Sequence, residues 1–157
     1  MSTHETEIVA DPTVPLVRIT RVFDAAPEKV FRAHTDPDLL VRWLGPRDIV
    51  MTVDHYDCRT GGSYRYVHSR GADQFGFYGC FHEVRPAELI VQTFCFEGFP
   101  DSVALERLTL EDLGDGRTRL VATSLVDSFE GRDAFVASGM ESGVRQSYER
   151  LDEALTG

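Results

Sequence analysis

The sequence predicts an α+β domain in which one antiparallel sheet of about seven strands packs against a long C-terminal helix. Three observations support this. Alternating strand-like runs separated by short turns fill residues 49–126, which favours hairpins between neighbouring strands. A helical period of apolar residues returns after residue 131 and continues almost to the C-terminus. One strand-like run and two short helical segments precede residue 49.

The length of 157 residues is that of one domain with a substantial core. Residues 1–15 are polar and acidic and lack the basic start and apolar stretch of a signal peptide. We expect them to form a flexible tail before a single domain at 16–157. The three cysteines show no CxxC spacing, which fits a reducing compartment, so the predicted location is the cytoplasm.

The charge and the motifs exclude several classes of function. A net charge of −10 argues against binding to nucleic acid or to anionic membrane surfaces. No apolar run is long enough for a membrane span. The sequence has no Walker loop and no dinucleotide fingerprint, and His55, His68 and His82 lie on separate predicted strands. Neither a metal nor another cofactor is therefore expected.

The first elements are a strand and two short helices. Residues 17–23 alternate as a strand does. Pro27 suits the first turn of a helix, which is predicted over 27–35. Pro37 ends that helix and begins a second one over 37–43.

Six further strands follow, each bounded by turn residues. They are predicted at 49–58, 63–69, 75–84, 89–96, 103–111 and 118–126. The closing helix is predicted over 134–155, with a bend near Gly139. No other element is long enough to cover one face of the sheet.

This last helix carries two neighbouring stripes. Met140, Val144 and Tyr148 are apolar, whereas Gly139 and Gly143 form a small stripe that continues at Ser147. Each glycine inside a helix costs roughly 0.5–1 kcal/mol relative to alanine, so the small stripe needs an explanation.

Bulky side chains alternate on the strands that would face this helix. They are Tyr64, Tyr66, His68, Phe77, Phe81, Phe94 and Phe96. Large rings opposite small residues allow two interpretations. Either the helix packs closely on the rings and the interior is solid, or the space between helix and sheet is a cavity.

Five segments resemble a known family. They are ITRVFDAAPEKVFRAHTDPDLLVRWLGP at 19–46, DCRTGGSY at 57–64, GCFHEVRP at 79–86, GDGRTRL at 114–120 and GMESGVRQSYERLDEAL at 139–155. Over about 16–155 the chain is similar to the activator-of-heat-shock-protein-90-ATPase-like family. That family belongs to the START-like superfamily, which is also called SRPBCC or birch-pollen-allergen-like.

The resemblance implies a helix-grip fold, in which a seven-stranded antiparallel sheet wraps around the long C-terminal helix. Two short helices lie between its first and second strands. It also favours a hydrophobic cavity between the sheet and that helix. Many relatives carry Trp directly after the glycine that matches Gly143, whereas this chain has Val144. We therefore expect a roomier or differently shaped pocket.

The predicted function is binding of a small apolar or aromatic molecule in that cavity. The small stripe would then leave room for the ligand. The expected ligand-binding residues are Trp43, Tyr64, Tyr66, His68, Phe77, Phe81, Gln92, Phe94, Phe96, Gly139, Met140, Gly143, Val144 and Tyr148. Trp43 can equally be a hydrophobic anchor for its helix. Gln92 and Glu106 face inward only if the strand register is as predicted.

Two alternatives stay open. The first is an enzyme of the polyketide-cyclase type, in which His68 or Glu106 would act as acid or base. The second is a role as a chaperone partner. We favour it less, because the eukaryotic activators of this family use a further domain. An exposed sheet edge also leaves a homodimer open.

Overall fold

A computed structural model describes residues 4–156. One antiparallel sheet of eight strands has the order β1-β2-β8-β7-β6-β5-β4-β3. The strands are β1 (Glu7–Ala10), β2 (Leu16–Phe23), β3 (Val50–Tyr56), β4 (Ser63–Arg70), β5 (Asp73–Arg85), β6 (Leu89–Phe96), β7 (Val103–Gly114) and β8 (Arg117–Leu125). From β3 to β8 each strand pairs with the next one in the chain, as the short turns predict.

The predicted number of seven strands is wrong by one. The additional strand is β1, which lies within the segment expected to be a tail and pairs with β2 from Glu7↔Thr20 to Ala10↔Val17. This four-residue strand lacks a long alternating pattern. Its partner strand supplies the hydrogen bonds that define it.

The two short helices lie where the prolines place them. Helix α1 (Pro27–Thr35) has the predicted bounds and Pro27 in its first turn. Helix α2 (Pro37–Leu40) is shorter than the predicted 37–43. The Asp36 side chain accepts a hydrogen bond from the Asp38 backbone N–H at 2.9 Å and so caps the start of α2.

The C-terminal helix is two helices, not one. Helix α3 (Phe129–Ala137) begins at Ser128, whose hydroxyl accepts a hydrogen bond from Gly131 N, and helix α4 (Met140–Thr156) ends near the C-terminus. Gly139 separates them with a φ of +88°, a backbone conformation that favours glycine. Gly139 is therefore a helix break, and the prediction that it lies inside a helix on one stripe with Gly143 and Ser147 is wrong.

The core lies between α4 and one face of the sheet, which we call the inner face. Tyr64, Phe81 and Leu120 of the inner face are buried, as are Tyr148 and Leu151 of α4. These residues form one hydrophobic cluster together with side chains of α1 and of the segment after α2. The predicted helix-grip arrangement is thus confirmed, and its inner face positions the candidate site.

Candidate functional site

Strand alternation brings the predicted rings together on the inner face. Tyr66 pairs with Phe77, and Phe77 pairs with Phe96, so their side chains are cross-strand neighbours. The Tyr66 and Phe77 ring centroids are 5.4 Å apart, and Phe77 lies 5.3 Å from both Phe94 and Phe96. These contacts join β4, β5 and β6 in one continuous aromatic surface.

Burial is uneven across this surface. The Tyr64, Tyr66 and Phe81 side chains are buried, whereas Phe77, Phe94 and Phe96 are half-buried. The opposing helix shows the same gradient, because Met140 and Val144 in the first half of α4 are half-buried. Tyr148, Leu151 and Leu155 in its second half are buried. Helix α4 therefore closes tightly on the sheet at one end and leaves apolar side chains accessible at the other.

A polar cluster lies at the centre of the inner face. The register pairs Gln92 with Glu106 and Glu106 with Ser124. Gln92 Nε2 donates to Glu106 Oε1 at 3.3 Å and to the Tyr64 hydroxyl at 3.2 Å. The Tyr64 hydroxyl in turn donates to Thr93 O at 2.7 Å. Both Gln92 and Glu106 thus face inward, as alternation with Phe94 and Leu108 predicts.

Glu106 supplies the carboxyl group of this cluster, and its pKa is strongly shifted. Burial raises its pKa from 4.5 to about 7, against the opposing effect of hydrogen bonds to Ser124 and Gln92. The Glu106 side chain is half-buried, so it keeps some solvent access. A carboxyl group with this pKa exchanges protons near neutral pH and can bind a hydrogen-bond donor in either of its states.

Two tyrosine hydroxyls near Glu106 are available to a bound molecule. Tyr66 and Tyr148 are buried, and within residues 4–156 neither hydroxyl has a hydrogen-bond partner. Burial, and then the charge of Glu106, raises the pKa of both hydroxyls, which places both near that carboxylate. Both hydroxyl oxygens keep some contact with solvent, so this pair is a point at which a ligand can bind.

His68 lies at the other end of the aromatic surface. Its ring centroid is 5.0 Å from that of Tyr66 and 5.2 Å from that of Phe77, and its buried Nε2 has no hydrogen-bond partner within residues 4–156. Burial, and then the charge of Arg150, lowers its pKa to about 4. His68 is therefore neutral at pH 7 and can hydrogen-bond a ligand, but it does not supply a positive charge.

The segment at residues 41–47, here called the covering loop, is fastened to α4 by polar contacts. Gly45 N donates to Ser147 Oγ at 2.8 Å. Arg150 donates to the carbonyl groups of Gly45 at 3.0 Å, Pro46 at 3.3 Å and Arg42 at 3.0 Å. Sequence patterning did not single out Arg150, because an arginine near the end of a helix has no distinctive local signal.

This loop explains the small residues of α4. A methyl group built at Gly143 would lie 4.0 Å from Pro46 Cδ, and Ser147 binds Gly45 directly. Gly143 and Ser147 therefore face the covering loop and make room for its backbone. A role of Gly143 in ligand binding stays a prediction.

Trp43 holds the covering loop against the hydrophobic core. It is buried, its Nε1 donates to Ala33 O at 2.9 Å, and its ring stacks on Tyr148 with centroids 6.2 Å apart. Two roles were predicted for Trp43, ligand binding and anchoring of its helix, and this geometry supports the anchoring role.

Two open depressions flank the first turns of α4. One of about 650 Å³ lies along residues 136–149, and one of about 410 Å³ lies between Pro46, Arg70 and Gly143. Gly139 borders both depressions, so it lies at the outer surface. Neither depression includes a ring of the inner face, and the cavity between sheet and helix stays a prediction.

A model of a known protein family matches the part of the chain that follows β2. The family model described as "Activator of Hsp90 ATPase homolog 1-like protein" (AHSA1) matches residues 24–156. The chain belongs to the AHSA1 family. Every candidate site residue lies within the segment that matches the AHSA1 model, whereas β1 and β2 lie before it. No curated protein matches the chain.

Solved structures of bacterial proteins share the AHSA1 fold of this chain. A protein from Rhodobacter sphaeroides is 27% identical with a TM-score of 0.88, and the alignment covers 97% of this chain and 99% of that protein. A protein from Chromobacterium violaceum is 30% identical with a TM-score of 0.77, with coverage of 88% and 95%. A protein from Arthrobacter aurescens is 25% identical with a TM-score of 0.87, with coverage of 96% and 91%.

No helix within residues 4–156 is both long and apolar enough to cross a membrane.

Proposed function

We propose that this AHSA1-family protein binds a small apolar or aromatic molecule between the inner face of its sheet and the first half of α4, in the cytoplasm. One observation carries the proposal. The half-buried Phe77, Phe94 and Phe96 rings share the inner face with Glu106, and the Tyr66 and Tyr148 hydroxyls near that carboxyl group have no hydrogen-bond partner within residues 4–156. An apolar surface with a few convergent polar groups is the usual composition of a small-molecule site.

The binding energy would come chiefly from burying the ligand and these rings. Apolar surface contributes about 25 cal/mol per Å² removed from water, before the entropic cost of association. The hydroxyls of Tyr66 and Tyr148 and the Gln92–Glu106 pair would then orient the polar part of the ligand. His68 Nε2 offers one further contact at the far end.

A thermal-shift screen of uncharged aromatic compounds, together with native mass spectrometry of gently purified protein, tests this function. The informative variant is Val144→Trp, which places a large side chain at the half-buried position that faces the inner surface. Glu141→Trp is the matched control, because Glu141 is exposed in the first turn of the same helix.

A retained mass, or a dose-dependent rise in melting temperature that Val144→Trp removes and Glu141→Trp keeps, is the expected result. If no compound binds the unmodified protein, the proposal is wrong and a role in protein interaction is favoured. The same conclusion follows if both tryptophan variants bind as the unmodified protein does.

The second candidate function is acid–base catalysis on the bound molecule. It rests on Glu106, whose pKa of about 7 suits a group that accepts and returns a proton at neutral pH. If a compound found in the screen is converted, Glu106→Gln should abolish turnover while binding persists. Turnover that survives Glu106→Gln would exclude this role.

A further inference from the structure

Glu106 carries a half-buried carboxyl group that has no cationic partner among residues 4–156. Within residues 4–156, no Lys, Arg or His nitrogen forms an ion pair with it. Arg21, the buried arginine of β2, instead pairs with Asp152 of α4. An interior charge is normally paired, so the surroundings of Glu106 favour a positively charged partner from outside the protein.

The side chains around Glu106 are suited to an ammonium group. The Tyr64 hydroxyl accepts a hydrogen bond from Gln92, Phe94 lies two residues from Gln92 on the same face of β6, and the charge of Glu106 acts on the Tyr148 hydroxyl of α4. Aromatic rings so close to a carboxylate favour a cation, because ring faces attract positive charge. Ala104, which is paired with Phe94, keeps the neighbouring position on β7 small. A carboxylate or phosphate group would meet the negative charge of Glu106 with nothing to compensate it.

We propose that the ligand is a hydrophobic amine, with its apolar body on Phe77, Phe94 and Phe96 and its ammonium group at the Glu106 carboxylate. This inference rests on the proposed ligand-binding function and narrows its chemistry. The ammonium group has three hydrogens to donate. Besides Glu106, the hydroxyl oxygens of Tyr66 and Tyr148 are acceptors that lack a partner within residues 4–156.

Binding should then depend on pH through Glu106. The groups that face it are Gln92 of β6, Ser124 of β8, Tyr56 of β3, Tyr64 and Tyr66 of β4, and Tyr148 of α4, with the Arg21–Asp152 pair beyond Tyr148. The pKa values of these tyrosines are raised, so their hydroxyls stay protonated up to pH 9. The pKa of His68 is about 4, so His68 is already neutral at pH 6. Between pH 6 and 8, Glu106 is thus the group at the site that gains a charge.

Three probes with one naphthalene body separate the possibilities: 2-(2-naphthyl)ethylamine, 2-(2-naphthyl)ethanol and 2-naphthylacetate. Titration calorimetry at pH 8 should show that the amine binds about tenfold or more tightly than the alcohol, since a hydrogen bond to a charged group is the stronger kind. The carboxylate should bind least. Lowering the pH to 5.5 should remove most of the preference for the amine.

Glu106→Gln should bring the affinity of the amine down to that of the alcohol. Glu111→Gln is the control, because Glu111 is an exposed residue of the same strand and its loss changes the net charge equally. Equal binding of amine and alcohol by the unmodified protein, or no pH dependence of their ratio, would overturn the inference and keep the ligand-binding function. If none of the three probes binds, the inference is overturned, and the compound screen and native mass spectrometry decide the ligand-binding function separately.

Discussion

Replacing Glu106 with Gln should stabilise the protein at pH 8. The substitution keeps the size of the side chain and the oxygen that accepts from Gln92 Nε2. It removes the charge that burial disfavours. The folded protein holds the Glu106 proton more tightly than the unfolded chain does, because burial raises the pKa from 4.5 to about 7.

The sign and the size of the effect come from this difference in pKa. Below pH 4.5, Glu106 is protonated in both the folded and the unfolded state, so it does not lower the free energy of unfolding. As the pH rises through 7, the folded state must ionise a buried group, and the contribution of Glu106 to the free energy of unfolding is lost. The difference between 4.5 and about 7 corresponds to at most about 3 kcal/mol, and the partial solvent access of the side chain lowers that figure.

Urea unfolding at pH 5, 6, 7 and 8 measures this effect directly. Glu106→Gln and the unmodified protein should differ least at pH 5, by under about 1 kcal/mol, because the loss begins near pH 4.5. Their difference should grow to between about 1 and 3 kcal/mol at pH 8. Glu111→Gln should show no such growth. A variant less stable than the unmodified protein at pH 8, or a difference that is constant with pH, would refute the reasoning.

Four other substitutions test further features. Gly139→Ala should destabilise by about 1 kcal/mol, because Gly139 has a φ of +88°. Gly143→Ala should instead stabilise by about 0.5–1 kcal/mol, since a methyl group there meets only Pro46 Cδ at 4.0 Å. Gly79→Ala should cost more than about 2 kcal/mol in urea unfolding, because its Cβ would lie 2.0 Å from Thr93 O. His68→Leu should reduce the loss of stability between pH 7 and pH 5 by about 1 kcal/mol, since the lowered pKa of about 4 makes the folded state resist protonation.

For each of these substitutions, one result would contradict the stated reason. Gly139 and Gly143 lie four residues apart, so equal effects of alanine at the two sites would contradict the assignment of Gly139 as a helix break. A Gly79→Ala protein as stable as the parent would mean that β5 and β6 can separate without cost. For His68, the fall in stability on acidification must be smaller in the variant. An unchanged fall would show that other groups, such as the buried His34, dominate.

Local patterns predicted most of the fold. The strand at Leu89–Phe96 and the helix at Pro27–Thr35 have the predicted bounds, because alternation and an N-terminal proline are strong short-range signals. Alternation along β6 and β7 also predicted that Gln92 and Glu106 face inward. Once the strands pair in register, a period of two residues determines the face of every side chain.

The sequence could not predict the features that depend on contacts between distant segments. The strand at Glu7–Ala10 exists because β2 offers it an edge, and the meeting of Gly45 with Ser147 joins positions 102 residues apart. The pKa of Glu106 likewise depends on burial and on Gln92 and Ser124 of the two neighbouring strands, although the carboxyl group itself is visible in the sequence.

The glycines of the last helix show this division most clearly. By itself, the sequence determined that the helical pattern is interrupted by small residues at 139 and 143. Only the tertiary structure decided that Gly139 breaks the helix with a positive φ and that Gly143 lies beside the covering loop. The physical reason is that composition and periodicity limit what each residue can do locally. Which segment packs against it is decided by burial and hydrogen bonding in the folded chain as a whole.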